Sequence, residues 1–206
     1  MFYTKEHHLY EIEKLMLQPP DYVSRGNRCI VTYKERTHSL GKQSPPSSFN
    51  ELLITTMKHV KHQPFNARLN NYIKESEARC MTYRNKKHKE IFEEMIREAD
   101  ENNLASLSAL YLLTADYSLW RIMINHISKN KIDFRDVKLN GISEGGYTLY
   151  CAAKDLYLGT KHITVCDLAD KELISQKMFG LICNAMAIRR YGLCAIEVMG
   201  EIAPSE

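Results

Sequence analysis

The sequence predicts a mainly α-helical protein with a few short β-strands. Apolar residues recur at helical spacing through most of the chain, and residues 104–114 are almost wholly apolar, as expected of a buried central helix. The chain has 206 residues, enough for one large domain or two small ones with a real core. Its 44% hydrophobic and 26% charged residues are those of an ordinary globular protein.

The first 48 residues predict a small N-terminal α/β segment followed by a linker. Thr4 is a suitable cap for a first helix, and residues 29–33, CIVTY, have the β-branched and aromatic content of a strand. Residues 37–48, THSLGKQSPPSS, have the composition of a linker, and Ser48 with Glu51 forms a capping box for the next helix. The predicted division is 1–36 for the N-terminal segment, 37–48 for the linker, 49–82 for a basic helical arm and 83–206 for a helical C-terminal domain.

Caps and breakers divide the rest of the chain into further helices. Proline and paired asparagines interrupt the apolar period, and glycines follow several of the periodic runs. The predicted helices run from Ser48 to about Lys61, about Asn66 to Cys80, about Tyr83 to Ala99, Leu104 to Thr114, Ser118 to Ile127 with Asp116 as cap, and Gly145 to Gly159.

Residues 162–193 have the order of a helix-turn-helix unit, and residues 193–198 alternate like a wing strand. Asp167 and Ser175 are the predicted caps of its two helices, and Gly192 ends the second. Glu172 and Leu173 depart from the pattern, which usually has leucine and glycine there. A helical hairpin that completes the core is the alternative interpretation. The residues expected to face outward from the second helix are Gln176, Lys177, Gly180, Leu181, Asn184, Arg189 and Arg190.

Basic residues are concentrated in the middle of the chain. The net charge of +3 is too small to indicate a nucleic-acid partner, but nine Lys or Arg residues lie between Lys58 and Lys89. Aromatic residues alternate with them, a composition typical of surfaces that bind RNA or single strands. The alternative is that the rings pack inward and the charges only solvate the helices. The candidate binding residues are Lys58, Lys61, Arg68, Tyr72, Lys74, Arg79, Arg84, Lys86, Lys87, Lys177, Asn184, Arg189 and Arg190.

Catalytic and metal-binding motifs are weak in this sequence. His59 and His62 share a helical face, but no second close pair completes a metal site. Asp21 followed by a strand invites comparison with metal-dependent nucleases, yet the strand that ends at Lys34 lacks their second carboxylate. Glycine-rich phosphate loops and nucleophile elbows are absent. We therefore expect a non-enzymatic protein with no cofactor and no metal.

Cysteine usage and hydropathy indicate a cytoplasmic protein. The six cysteines are spread along the chain without a C-x-x-C pair, as in proteins that keep their thiols reduced. The N-terminal residues lack the charged and apolar regions of a signal peptide. Residues 104–115, the longest apolar region, are too few to cross a bilayer, so we expect no membrane partner.

Several segments in the C-terminal part of the chain are distinctive: ALYLLTAD at 109–116 with Trp120, GYTLY at 146–150 through DLYLGT at 155–160 to DLAD at 167–170, and NAMAIRR at 184–190. These segments resemble those of small proteins carried by conjugative and other mobile elements of Firmicutes. The resemblance covers roughly Arg84 to Gly192 and leaves the N-terminal third unexplained. No functional residue carries over from it. It implies a mobile-element context, in which regulators, transfer accessories and antagonists of host defence act mostly by binding.

These observations predict a mobile-element accessory protein that binds nucleic acid or a nucleoprotein. Two alternatives stay open: an inhibitory binder of a host defence complex, similar to an anti-CRISPR protein, and a helix-turn-helix transcriptional regulator. A metal-dependent nuclease is a more distant alternative. The residues do not distinguish DNA, RNA and protein partners, and they leave the oligomeric state open.

Overall fold

The computed structural model describes residues 46–76, 82–128 and 131–200. Within these ranges it is mainly α-helical, which confirms the predicted fold class, and the described residues belong to one compact unit. The helix and the strand predicted before residue 34 lie outside the described ranges, as does most of the predicted linker. The helices are α1 (Phe49–Met57), α2 (Gln63–Ser76), α3 (Lys86–Ile96), α4 (Leu104–Thr114), α5 (Tyr117–Met123), α6 (Glu144–Leu158), α7 (Val165–Ala169), α8 (Gln176–Tyr191) and α9 (Cys194–Gly200).

A short 3-10 helix and one hairpin complete the described elements. The 3-10 helix (Ile124–His126) follows α5 directly. Strands β1 (Ile127–Ser128) and β2 (Lys131–Ile132) pair antiparallel, with Ile127 opposite Ile132. Ile132 is buried and Ile127 packs against the core, so both strands anchor the hairpin. None of the helices in the described ranges is long and apolar enough to span a bilayer.

The core is built around α4 and α8. Every residue of α4 from Ser106 to Thr114 is buried, because α3, α5, α6 and α8 all pack against this helix. Helix α8 packs on α1, α4, α6 and α9, and α2 packs on α7. The two described helices of the predicted arm, α1 and α2, therefore pack on the same body as the C-terminal helices. The burial of apolar side chains between these helices is the main source of the stability of the fold.

Side-chain caps set most helix starts, as the sequence predicts. Ser48 accepts a hydrogen bond from the Glu51 backbone N–H at 3.3 Å, and Asp116 accepts one from the Leu119 N–H at 3.0 Å. Ser175 caps α8 through the Met178 N–H. Gly192 follows α8 with a positive φ of 71°, a conformation that favours glycine.

Two local predictions are wrong. Residues 193–198 do not form a wing strand, because Ala195 and Met199 are buried four residues apart on helix α9. The cap of α7 is Thr164 rather than Asp167. The Thr164 Oγ accepts from the Asp167 N–H, and the Asp167 carboxylate accepts from the Thr164 N–H, which is a capping box.

The second helix of the predicted helix-turn-helix unit is an internal helix. Helix α8 is enclosed by four other helices, and Gly180, Leu181 and Asn184, predicted to face outward, are buried. The space beside Gly180 is filled by the Tyr72 ring, because a Cβ at this glycine would lie 2.8 Å from the ring carbon that bears the hydroxyl. A helix surrounded in this way has no face with which to enter a major groove.

Candidate nucleic-acid interface

Four of the predicted contact residues are arginines that bind the C-terminal ends of neighbouring helices. Backbone carbonyls in the last turn of a helix lack partners within the helix, and a cation beside them is stabilising. Each guanidinium donates to such carbonyls on a different helix: Arg68 on α7, Arg84 on α4, Arg189 on α6 and Arg190 on α1.

Arg68 is the most buried of these four arginines. Its side chain is 2% exposed, and Nη1 donates to the carbonyl oxygens of Leu168 at 2.9 Å and Asp170 at 2.7 Å. Nη2 donates to the Ile174 carbonyl, and the guanidinium carbon lies 4.5 Å from the centre of the Phe179 ring. Arg68 therefore fixes the turn between α7 and α8 and has almost no exposed surface for a ligand. Its prediction as a surface contact is wrong.

The other three arginines are half-buried and make similar bonds. Arg84 donates to the Ala115 carbonyl at 3.2 Å and pairs with the Asp116 carboxylate at 3.0 Å. Arg189 donates to the Leu156 carbonyl at 3.2 Å, and Arg190 donates to the Thr55 carbonyl at 2.9 Å. These contacts use the guanidinium groups within the fold.

Tyr72 and Asn184, also predicted to contact the partner, are buried. The Tyr72 ring packs edge-on against Phe179 with the ring centres 5.7 Å apart. The Asn184 amide nitrogen donates to the Tyr111 hydroxyl at 3.2 Å, and that hydroxyl donates to the Thr82 carbonyl. Both predictions of surface contact are wrong, because the Tyr72 ring and the Asn184 amide lie between packed helices. Arg79 lies outside the described residues.

The predicted lysines are all exposed, but they do not share one face. Lys58 and Lys61 lie in the loop before α2, whereas Lys74 lies near the other end of that helix, about 16 Å from its first residue at 1.5 Å per residue. Lys177 and Lys74 are sequence neighbours of Gln176 and Glu75, whose side chains bond each other at 3.0 Å. A third group begins α3, where Lys86 pairs with Glu90 and Lys87 lies over the Tyr117 ring.

One of these groups is enlarged by residues that are distant in sequence. The loop 58–62 lies beside the segment 159–166, which consists of the loop 159–164 between α6 and α7 and the first two residues of α7. The His62 Nε2 atom and the Cys166 Sγ atom are 3.7 Å apart and join the two segments. We call this region the two-loop basic surface; it consists of Lys58, His59, Lys61, His62, Lys161, His162 and Cys166.

Hydrogen bonds hold the first loop in place. The Asn66 side chain donates to the Val60 carbonyl at 3.1 Å, and the Val60 N–H donates to the Met57 carbonyl at 2.9 Å. The Phe65 N–H donates to the His62 Nδ1 atom at 3.3 Å, so His62 caps the start of α2. The exposed lysines of this loop therefore extend from a fixed backbone.

Asp155 organises the second loop. Its carboxylate accepts from the Thr160 hydroxyl at 2.7 Å, the His162 N–H and ring Nδ1, and the Ile163 N–H at 2.8 Å. Burial alone would raise the pKa of Asp155, but the hydrogen bonds from His162, Ile163 and Thr160 outweigh burial and lower it. The bond to Nδ1 leaves the His162 Nε2 atom directed away from Asp155.

The lysines of the two-loop basic surface outnumber its carboxylates and do not pair with them. Lys58, Lys61 and Lys161 are exposed, and none of them makes an ion pair within the ranges 46–76, 82–128 and 131–200. The two carboxylates of this region keep their negative charge, but Asp155 binds His162 and Asp167 caps α7, and neither pairs with a lysine. Such a surface attracts phosphate groups without reading a sequence.

The same region offers too few ligands for a metal centre. His62 faces Cys166, and no group of three His, Cys, Asp or Glu side chains in the described part of the chain is placed to hold a metal ion. Asp21 and Lys34, on which the nuclease alternative depends, lie outside the described residues.

Sequence reasoning missed Lys161, His162 and Cys166. Their positions after the helix-ending Gly159 mark them as loop residues, but their proximity to residues 58–62 is a tertiary contact. No family model, curated protein or solved structure matches this chain. The resemblance to mobile-element proteins thus stays an expectation.

Proposed function

We propose that this protein is a non-enzymatic accessory protein that binds nucleic acid through the two-loop basic surface. The observation that carries the proposal is the 3.7 Å contact between His62 and Cys166, which brings two segments with exposed lysines side by side. The contacts would be to phosphates, because short loops with lysines hold charge but present no element suited to a groove. This mode of binding requires no recognition helix and is compatible with a buried α8.

Charge-matched variants test the proposal. The triple variant Lys58→Ala, Lys61→Ala, Lys161→Ala removes three cations from the surface. The control Lys86→Ala, Lys89→Ala, Lys131→Ala removes three exposed cations elsewhere, two of which already pair with glutamates. Fluorescence anisotropy would measure affinity for single- and double-stranded DNA and RNA at several salt concentrations.

The two variants should differ in their salt dependence. For duplex DNA, the slope of log affinity against log salt should fall in magnitude by about two to three in the surface variant, because each phosphate contact contributes roughly 0.9. The control should keep nearly the parent slope. Equal losses in both variants would assign the binding to net charge alone, and absent binding by the parent protein would remove nucleic acid as the direct partner.

Two exposed apolar residues favour a second candidate function, docking on a protein that itself binds nucleic acid. Leu158 is 53% exposed and Val165 is 37% exposed, and both flank the loop 159–164. An apolar patch beside lysines is typical of protein interfaces as well as of nucleic-acid contacts. An inhibitory binder of this kind would bind free nucleic acid weakly, and Leu158→Ser with Val165→Ser would weaken its complex more than the lysine variant does.

A further inference from the structure

The pairing of Cys166 with His62 gives this cysteine a chemical environment that the other described cysteines lack. Cys151 and Cys183 are buried, whereas Cys166 and Cys194 are exposed free thiols. Both exposed cysteines lie in the first turn of a short helix, so the helix N-terminus acts on both thiols in the same way. Only Cys166, within the described residues, has an imidazole nitrogen in contact with its sulfur.

The hydrogen bonds of His62 determine which way that imidazole can act. Its Nδ1 atom accepts from the Phe65 N–H at 3.3 Å, so Nδ1 carries a lone pair and the neutral ring has its proton on Nε2. The Nε2–H then points at the Cys166 sulfur. His62 is placed to donate a hydrogen bond to sulfur and not to remove the thiol proton. This geometry is suited to stabilising a negatively charged sulfur during attack. It does not suit the mechanism of a cysteine protease, in which the histidine acts as a base.

The surroundings of Cys166 favour anionic reagents. Lys58, Lys61 and Lys161 belong to the same two segments and are exposed without ion pairs in the described ranges. A small disulfide that carries carboxylates, such as glutathione disulfide, is attracted to such a region. The exposed position of Cys166 allows in-line approach to its sulfur.

We propose that Cys166 is a site of mixed-disulfide formation with small anionic disulfides. The Cys166 thiol gives its proton to solvent, and its sulfur attacks one sulfur of the reagent. The S–S bond of the reagent breaks as the bond to Cys166 forms, and the displaced thiolate leaves and takes up a proton. Cys166 is oxidised and one half of the reagent is reduced. The His62 N–H stabilises the negative charge on the attacking sulfur.

The reaction can be followed at each cysteine by mass spectrometry. The full chain would be incubated with glutathione disulfide under native conditions, quenched with acid and digested. We expect Cys166 to be modified about tenfold faster than Cys194, as thiols in electropositive sites usually exceed ordinary exposed ones. Equal rates at Cys166 and Cys194 would overturn the proposal.

Two variants of His62 separate its effect on sulfur from its effect on folding. His62→Ser keeps a side chain that can cap α2 but removes the imidazole N–H, whereas His62→Ala removes both. The Cys166 rate should fall to about that of Cys194 in His62→Ser, with Cys194 unchanged. A Cys166 rate unaffected by His62→Ser in a folded protein would contradict the role of the imidazole.

A neutral reagent tests the contribution of the lysines. Lys61→Ala with Lys161→Ala should slow the reaction with glutathione disulfide but leave the reaction with the uncharged 2-hydroxyethyl disulfide nearly unchanged. Equal slowing with both reagents would show that the lysines do not act through charge. This proposal is independent of nucleic-acid binding, because its readout is the covalent adduct.

Discussion

The arginines at the helix ends and the lysines of the two-loop basic surface carry the same charge but make different contacts. Arg68, Arg84, Arg189 and Arg190 donate to backbone carbonyls of other helices. The lysines of the loops extend into solvent from backbones that their own hydrogen bonds hold in place. A planar guanidinium with five N–H donors suits a cluster of carbonyls, whereas a compact ammonium is strongly hydrated. At these positions the arginines thus stabilise the fold, whereas the lysines remain on the surface.

The largest effect is expected from removing a buried arginine. Arg68→Ala should lower the free energy of unfolding by about 4 kcal/mol, because it leaves the Leu168, Asp170 and Ile174 carbonyls without their partner. Urea denaturation would measure it, with the exposed Lys74→Ala as control. Similar small losses in both variants would break the distinction between structural arginines and surface lysines.

The buried His88 should make the folded protein less stable in acid. Burial lowers the pKa of His88 from 6.5 to about 4, against a hydrogen bond to the Tyr111 carbonyl that raises it, and the charge of Arg84 lowers it further. The unfolded chain binds a proton below pH 6.5 and the folded chain does not, so stability falls as the pH falls from 6.5 towards 4.

Between pH 7 and pH 5, this difference in proton binding should remove about 2 kcal/mol of stability. His88→Gln, although less stable at pH 7, should lose correspondingly less over the same interval in urea denaturation. An equally steep pH dependence in His88→Gln would place the acid sensitivity elsewhere.

A smaller effect is expected where α2 packs on α8. Gly180→Ala would place a Cβ against the Tyr72 ring, and overpacking costs about 1 to 3 kcal/mol. The better helix propensity of alanine offsets up to about 1 kcal/mol of this cost. A net loss of about 1 kcal/mol in thermal unfolding would support an internal α8, whereas a gain in stability would indicate an open face.

The half-buried arginines should matter less than Arg68. Arg190→Ala removes bonds to the Thr55 and Thr56 carbonyls near the end of α1, a loss of about 1 kcal/mol. Arg190→Lys should recover only part of it, since lysine cannot match the fork of a guanidinium. Full recovery in chemical denaturation would show that charge alone suffices at this helix end.

Several elements of the fold could be predicted from local sequence. The bounds of α4 and the caps Ser48, Asp116 and Ser175 follow from an apolar run and from residue types that accept hydrogen bonds at helix starts. Over six residues, alternating and helical apolar patterns overlap, and residues 193–198 fit both. This ambiguity explains the missed helix α9.

The candidate site was much less predictable. A polar residue on a helix is expected to face solvent. Asn184 instead lies where α8 packs on α4, and its hydrogen-bond partner Tyr111 is 73 residues away in the sequence. The structural role of the arginines could not be predicted for the same reason, because the helix ends that they bind are distant in sequence. Only the exposure of the predicted lysines followed from their chemistry, since an unpaired ammonium is rarely buried.

The smallest effect on stability is expected from replacing the lysines of the two-loop basic surface. These lysines also provide the most direct test of the proposed binding. The surface triple variant should unfold within about 0.5 kcal/mol of the parent, as surface substitutions usually do. Covalent footprinting of lysines with and without the tightest-binding oligonucleotide would then locate the contact. We predict protection of Lys58, Lys61 and Lys161 and no change at Lys74, Lys86 or Lys177. Protection of the latter group alone, or of none of these lysines, would contradict binding through the two-loop basic surface.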